Sequence, residues 1–342
     1  MLFKKNPNNN IIFEELHIRH LNLLIDLKNH KGNNWFYKMA LISTFEDLKI
    51  FLVNLEKNKN KCIIAIQNNK LIGYVYTYPL NEKKTCLKIN VPKIIYENNS
   101  LSNRDLIKKL IKNSIILTDL RTSSWIIYSD IHNNELISCS RELGFQPLQE
   151  ITLWSNKNNI NDFKNKKFTT KKFSKINKNN IKKVLNFVRS NESILIRNIL
   201  DLEIEDIYRM IDKNCGVYTS CEEINFCILR DMGYENDNVY LLLGGLCWDE
   251  RINSALRNKI KDILNNDNNI YFKTYSSNET LNAFLVESNL TTTSQEIILV
   301  RNTLIKREVK SINQINKSIE NIIGKINPQG NAYPSPSPIK LK

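Results

Sequence analysis

The second half of this chain repeats the first, and that constrains its fold more than any other feature. Strand and helix signals over residues 11–154 run strand, helix, helix, three strands, helix, strand, helix, strand. After a lysine-rich stretch the same order returns over residues 167–302. Sliding the second half back by 145 residues lays Asn278 on Asn133, Leu281 on Leu136 and Glu287 on Glu142. Asn289-Leu290 then falls on Gly144-Phe145, and Tyr271-Phe272 on Ile126-Ile127, alike in apolar character though not in identity. Such a period means two copies of one architecture. Strands mixed with helices make each copy an α/β (α+β) unit, a mixed and mostly antiparallel sheet flanked by helices. The 342 residues fit two such domains at the usual ~100–200 residues each. The expected division is a domain over 1–154, a basic linker over 155–167, a second domain over 168–305, and a helix with a Pro/Ser-rich tail over 306–342.

Local signals support this order. Ser43-x-x-Glu46 is a capping box ahead of a helix running to about Lys57. Asn68-Asn69-Lys70 joins strands over 61–67 and 71–80 in a tight hairpin, and a third strand covers 85–94. Helices are expected over 103–117, capped by Ser102, and over 133–145; strands over 123–131 and 147–154 follow them. In the second half the helices fall at about 178–189, 202–213, 249–264 and 278–289, and the last strand at 294–302. Val309, Ile312, Ile315, Ile319, Ile322 and Ile323 form a stripe at helical spacing in the tail.

Composition excludes several functions. The nine glycines are few against the ~7% of an average chain, and neither GxGxxG nor GxxxxGK[ST] occurs, so nucleotide-cradling loops are not expected. The net charge of +14 is uneven: +7 over 1–154, +9 over 155–183, −7 over 184–305 and +5 over 306–342. The excess sits in the linker and tail rather than on a folded face, so a nucleic-acid partner is not expected, transfer RNA being the exception taken up below. The opposite charges of the halves favour intramolecular docking, and cleavage near Lys164–Lys167 is expected to leave two separately folded pieces. Seven cysteines, an odd number without a CxxC pair, read as buried thiols of a reducing compartment. His17 and His20 have no carboxylate at metal-ligand spacing, and no metal is expected. No apolar run approaches the ~18 residues of a membrane span, which reads as a cytoplasmic protein with no membrane partner.

Asn133-Asn134-Glu135-Leu136, continued by Arg141-Glu142-Leu143-Gly144-Phe145, resembles the N-x-x-A … Y-x-x-x-G-F helix of the GCN5-related N-acetyltransferase superfamily. The strand order of both halves is similar to that fold. The resemblance covers residues 11–154 more strongly than 168–302. It implies a fourth strand parting from the fifth, acyl-CoA in the gap, and pyrophosphate on the start of the next helix within a Q/R-x-x-G-x-G/A turn. A helix N-terminus suits that task through its unpaired donors and partial positive charge. Both halves depart from the turn: Ser102-Asn103-Arg104-Asp105-Leu106-Ile107 and Trp248-Asp249-Glu250-Arg251-Ile252-Asn253 contain no glycine. The family's general acid, a tyrosine, falls on Ser140 in one half and Leu285 in the other.

The resemblance therefore implies a tandem N-acyltransferase that moves an acyl group, an acetyl group foremost, from acyl-CoA to a primary amine on a small molecule or peptide. Acetyl-CoA or another acyl-CoA would be the co-substrate. The first half, with its positive charge, is the expected host. Its candidate cofactor contacts are Asn90, Val91, Ser102, Asn103, Arg104 and Asn133, with Ser140 as the candidate catalytic residue. On this reading Arg104→Glu weakens acyl-CoA binding and Arg251→Glu does not. Glu82, Glu97, Tyr76 and Tyr78 are candidate bases that sequence does not rank. Two other functions fit: a catalytically silent binding or assembly protein, favoured by the lost turns and tyrosines, and an aminoacyl-tRNA-dependent transferase.

Overall fold

The structure, a computed structural model, describes residues 11–20, 23, 61–95, 101–117, 121–156, 173–220, 222–234, 238–244, 249–266 and 269–303. The capping box at Ser43, the linker from 157 onward, Glu97 and the tail stripe lie outside these residues.

The first half supplies strands β1 (Ile12–Glu15), β2 (Lys61–Gln67), β3 (Lys70–Pro79), β4 (Cys86–Ile89), β5 (Lys93–Ile94), β6 (Ser124–Asp130) and β7 (Gln146–Ser155). Its helices are α1 (Asn103–Ile116) and α2 (Asn134–Glu142). The second half supplies β8 (Phe173–Ser174), β9 (Gly216–Ser220), β10 (Glu223–Arg230), β11 (Asn238–Gly244), β12 (Ile270–Tyr275) and β13 (Thr291–Asn302). Its helices are α3 (Ile181–Asn191), α4 (Ile194–Leu200), α5 (Ile204–Arg209), α6 (Glu250–Asn266) and α7 (Glu279–Glu287). The helix expected over 202–213 is the shorter α5, and α4 precedes it where no helix was expected. Asp201 in left-handed backbone ends α4 (φ 42°), and Glu203 with Asp206 forms a capping box for α5.

Sequence chemistry accounts for the junctions. Asn68 and Asn69 both take positive φ (50° and 58°), as a two-residue hairpin turn requires, and asparagine tolerates that region best after glycine. Gly144 (φ 86°) and Asn289 (φ 58°) end α2 and α7 at positions 145 apart, so the change from Gly to Asn keeps the left-handed helix stop. The helix starts match too: Asn133 Oδ1 accepts from the Leu136 N–H (3.0 Å) and Asn278 Oδ1 from the Leu281 N–H (3.2 Å).

All the strands join one sheet, in the order β1-β2-β3-β4-β6-β13-β7-β12-β11-β10-β9-β8, with β5 on β3. Only β4–β6 and β11–β12 are parallel pairs among the described residues. The final strands of the two halves are exchanged. β13 pairs with β6 of the first half, β7 with β12 of the second, and the two pair with each other at the centre. The sequence period governs this arrangement. Ile151 faces Glu296, its own equivalent 145 residues on. The β6–β13 register, Ile126 opposite Val300, turns into the β12–β7 register when each residue is moved to its counterpart. A pseudo-twofold axis therefore passes through the Ile151–Glu296 pair. Because a one-residue slip would turn every side chain to the wrong face, this register is strongly specified.

Exchange changes the expectation for cleavage. Neither half completes its sheet with its own last strand, and the described residues fall in one compact unit. One apolar core runs from Tyr76, Tyr78 and Tyr128 of the first half to Ile199, Met210 and Phe272 of the second. A second core lies on the opposite face of the first half, under α1 and α2.

Candidate functional site

Each half parts its sheet between the same two strands. β4 pairs with β6 only from Cys86 to Lys88, then stays with β3: the Asn90 N–H donates to Tyr76 O (2.8 Å), and β5 continues on β3. In the second half β11 pairs with β12 from Asn238 to Leu241, while its end remains on β10 as far as Gly244 opposite Phe226. Among the described residues, the other backbone edge of Leu242–Gly244 has no strand partner.

The two partings differ in what fills them. Over the first sits the turn Asp231–Tyr234, contributed by the second half. The Gly233 carbonyl accepts from both Tyr78 Oη and Lys88 Nζ. Lys88 Nζ also lies 4.0 Å from the Tyr128 ring centre and 4.4 Å from that of Tyr234, a desolvated cation between aromatic faces. Only glycine fits the turn: a Cβ on Gly233 would come within 2.7 Å of the Tyr128 ring. Tyr78 and Tyr128 flank the point where β4 leaves β6, so this face of the first parting is plugged.

Over the second parting lies an open groove of about 1070 Å³ between α3, the β9–β10 turn, the end of β11 and the start of α7. Asn278, which caps α7, lines it, as does Asn225. Asn225 sits where the β10–β9 register shifts between Ile224 and Phe226, and its buried Oδ1 has no partner among the described residues. An unpaired buried acceptor costs ~1–3 kcal/mol, which a ligand N–H would recover. Glu222, Glu223 and Glu279 at the mouth outnumber Lys183, giving the groove a cation-attracting rim.

Tyr275 forms the groove's inner wall and also lines a smaller buried cavity. That cavity, about 40 Å³, has room for about three or four waters at ~10–15 Å³ of probe-occupied space each. Glu192, Asp231 and Lys273 line it. Lys273 Nζ pairs with the Asp231 carboxylate and lies 3.4 Å from Tyr128 Oη. Burial works against its ammonium, but the Asp231 charge beside it holds its pKa above the ordinary lysine value. Glu192 accepts from Tyr275 Oη at 3.2 Å, and burial pushes its carboxyl up to about 7.

The residues singled out from sequence occupy the first half and do not line this groove. Asn133 caps α2, and Ser102 caps α1 by accepting from the Asp105 N–H (3.1 Å) while its hydroxyl meets the Asp105 carboxylate. Asn103 opens α1, and Val91 is exposed between β4 and β5. Arg104 reaches across to α2, where it pairs with Glu142 and donates to Ser138 Oγ (2.9 Å). Ser140 is fully buried, its Oγ without a partner among the described residues, and its counterpart Leu285 is buried as well. Of the candidate bases, Glu82 pairs with Arg209 of α5, and Tyr76 and Tyr78 belong to the core. The groove residues carried weak signals. Asn225 is a lone amide in the strand INFCILR, and Glu192 a lone acid between two helical runs.

No protein-family model matches the chain, and no curated protein matches it. Solved structures do match. A Pyrococcus horikoshii protein assigned as an acetyltransferase aligns over 90% of this chain and 95% of its own, with a TM-score of 0.50 and 8% identity. The GCN5-related glucosamine N-acetyltransferase region of a fungal multi-domain beta-N-acetylglucosaminidase aligns over 87% of this chain and 38% of that longer one, with a TM-score of 0.52 and 10% identity. A tandem protein of the same superfamily from the clavulanic acid biosynthesis pathway aligns over 86% and 98%, with a TM-score of 0.49 and 7% identity. The parted parallel strands, the Asn-capped helices that follow them and the first two of these likenesses identify the fold of the chain as that of the GCN5-related N-acetyltransferases, present twice.

Proposed function

We propose that this chain is an N-acyltransferase that moves an acyl group, acetyl foremost, from acyl-CoA to a primary amine, and that its working half is the second. The observation that carries this reading is the asymmetry of the two partings: one face of the first is covered by the Gly233 turn, whereas the second opens into a groove large enough for a co-substrate arm and an acceptor. The backbone edge of Leu242–Gly244, without a strand partner among the described residues, can pair with the amides of an extended acyl carrier, and the Asn225 carbonyl is a ready acceptor for another N–H. The acidic rim favours a cationic acceptor, which must become a neutral amine before it attacks the thioester carbon. Backbone N–H groups at the parted strand would stabilise the oxyanion. The first half then serves as scaffold, contributing β7 to the working half's sheet.

The helix starts support a second reading, binding without catalysis. Asp249 Oδ1 caps α6 by accepting from the Ile252 N–H (2.8 Å), with Glu250 beside it, and Asp105 occupies the start of α1. Carboxylates there repel the phosphates that such a turn holds in the family. Incubating the protein with acetyl-CoA and a mixture of glucosamine, spermidine and lysine amide separates the two. Acetylated amine detected by mass spectrometry supports transfer; none, with acetyl-CoA still bound, supports the silent fold.

A further inference from the structure

The groove and the buried cavity meet at one residue. Ser190 and Asn191, at the end of α3, line the groove; the next residue, Glu192, turns inward in extended backbone (φ −95°, ψ 147°) and carries its carboxyl into the cavity. Tyr275, from the end of β12, lines both spaces, and its hydroxyl donates to Glu192 Oε1. We propose that Glu192, acting through the Tyr275 hydroxyl, accepts the proton that an amine bound in the second-half groove loses before it attacks the thioester. This rests on the acyl-transfer reading above.

The surroundings suit that role. Lys273 and Tyr275 of β12, Asp231 after β10 and Arg189 of α3 are the charged and titratable groups facing Glu192. Lys273 is committed to Asp231, so its charge is balanced locally. Tyr275 Oη is the hydrogen-bond donor to Glu192 among the described residues. A carboxyl held near 7 is about half ionised at neutral pH and closer in basicity to an amine than an ordinary carboxylate is. Burial keeps the Tyr275 phenol well above its ordinary range, so it passes a proton on and does not ionise.

The step balances. The ammonium gives one proton to Tyr275 Oη as the phenol gives its own to Glu192. The neutral amine then attacks the thioester carbon, and the C–S bond breaks. The second proton leaves the nitrogen for the departing thiolate, giving amide and free thiol. Glu192 returns its proton to water in the cavity or groove.

The test is the pH profile of kcat/KM for acetyl transfer to the same amine mixture, with calorimetric binding of acetyl-CoA alongside. The parent should show a limb rising through about 7. Glu192→Gln should lower kcat/KM by at least ~100-fold and remove that limb while leaving acetyl-CoA affinity unchanged. Glu192→Asp should restore part of the rate. Tyr275→Phe, which keeps the ring and loses the relay, should also lower the rate. Parent-like rates and an unchanged limb in Glu192→Gln would overturn the inference and leave the acyl-transfer reading standing. A parent that acetylates none of the amines would overturn both.

Discussion

Glu192 shows how far a single side chain's behaviour depends on its surroundings. In sequence it is an ordinary acid after a helix; in the fold it is 8% exposed and meets one phenol. Burial raises its pKa from 4.5 to about 7 in the folded chain. The sign of the effect on stability follows. The unfolded chain releases this proton first, so stability falls as pH rises from 4.5 through 7, and the full loss stands above 7. At 1.36 kcal/mol per pKa unit the loss is about 3 kcal/mol. Glu192→Gln keeps an acceptor for Tyr275 without the charge. Urea denaturation should therefore find the variant more stable than the parent by about 3 kcal/mol near pH 8 and by little near pH 4.5. An equal gap at both pH values would mean that Glu192 is not the titrating group. Other residues were legible earlier. Gly144 and Asn289 mark the same helix stop because glycine and asparagine are the residues that tolerate left-handed backbone.

At the scale of elements, strands and helices were legible because their signals are local: apolar periodicity, Asn and Ser caps, an Asn-Asn hairpin. The partner of each final strand was not. β7 and β13 are near-equivalent segments, and either could in principle close either half, so pairing is decided by the fold of both together. The consequence is testable. With a protease site inserted into residues 157–172 and cut, the two pieces should remain associated in high salt. At ~1 M salt the Debye length is ~3 Å, which screens exposed charges but leaves strand ladders and apolar burial intact. The ion pairs of Lys83 with Asp201 and Glu203 are half-exposed and contribute at most ~1 kcal/mol each. Two folded pieces that separate on a sizing column would contradict the exchange.

For the whole molecule, the duplication was readable from sequence, and so was the fold. The proposed division of labour between halves was not. Long-range charge pointed to the first half, since 1–154 carries +7 and 184–305 carries −7. Yet a site needs an open cavity, and whether a parting is open depends on a turn from the other half that sequence cannot position. Gly233 looks unremarkable in the run Asp231-Met232-Gly233-Tyr234; only the fold brings its carbonyl to Tyr78 and Lys88. The Arg104 guanidinium, the expected phosphate contact, is engaged by Glu142 and Ser138. The central claim is that the second-half groove is the working site. Calorimetric titration of acetyl-CoA into the parent, Thr280→Trp and Arg104→Glu tests it most directly. Thr280 is exposed on the groove wall, so a tryptophan there fills the groove without entering the core. The account predicts that Thr280→Trp weakens binding at least tenfold, about 1.4 kcal/mol, while Arg104→Glu binds as the parent does. Loss of binding in Arg104→Glu with parent-like binding in Thr280→Trp would contradict it.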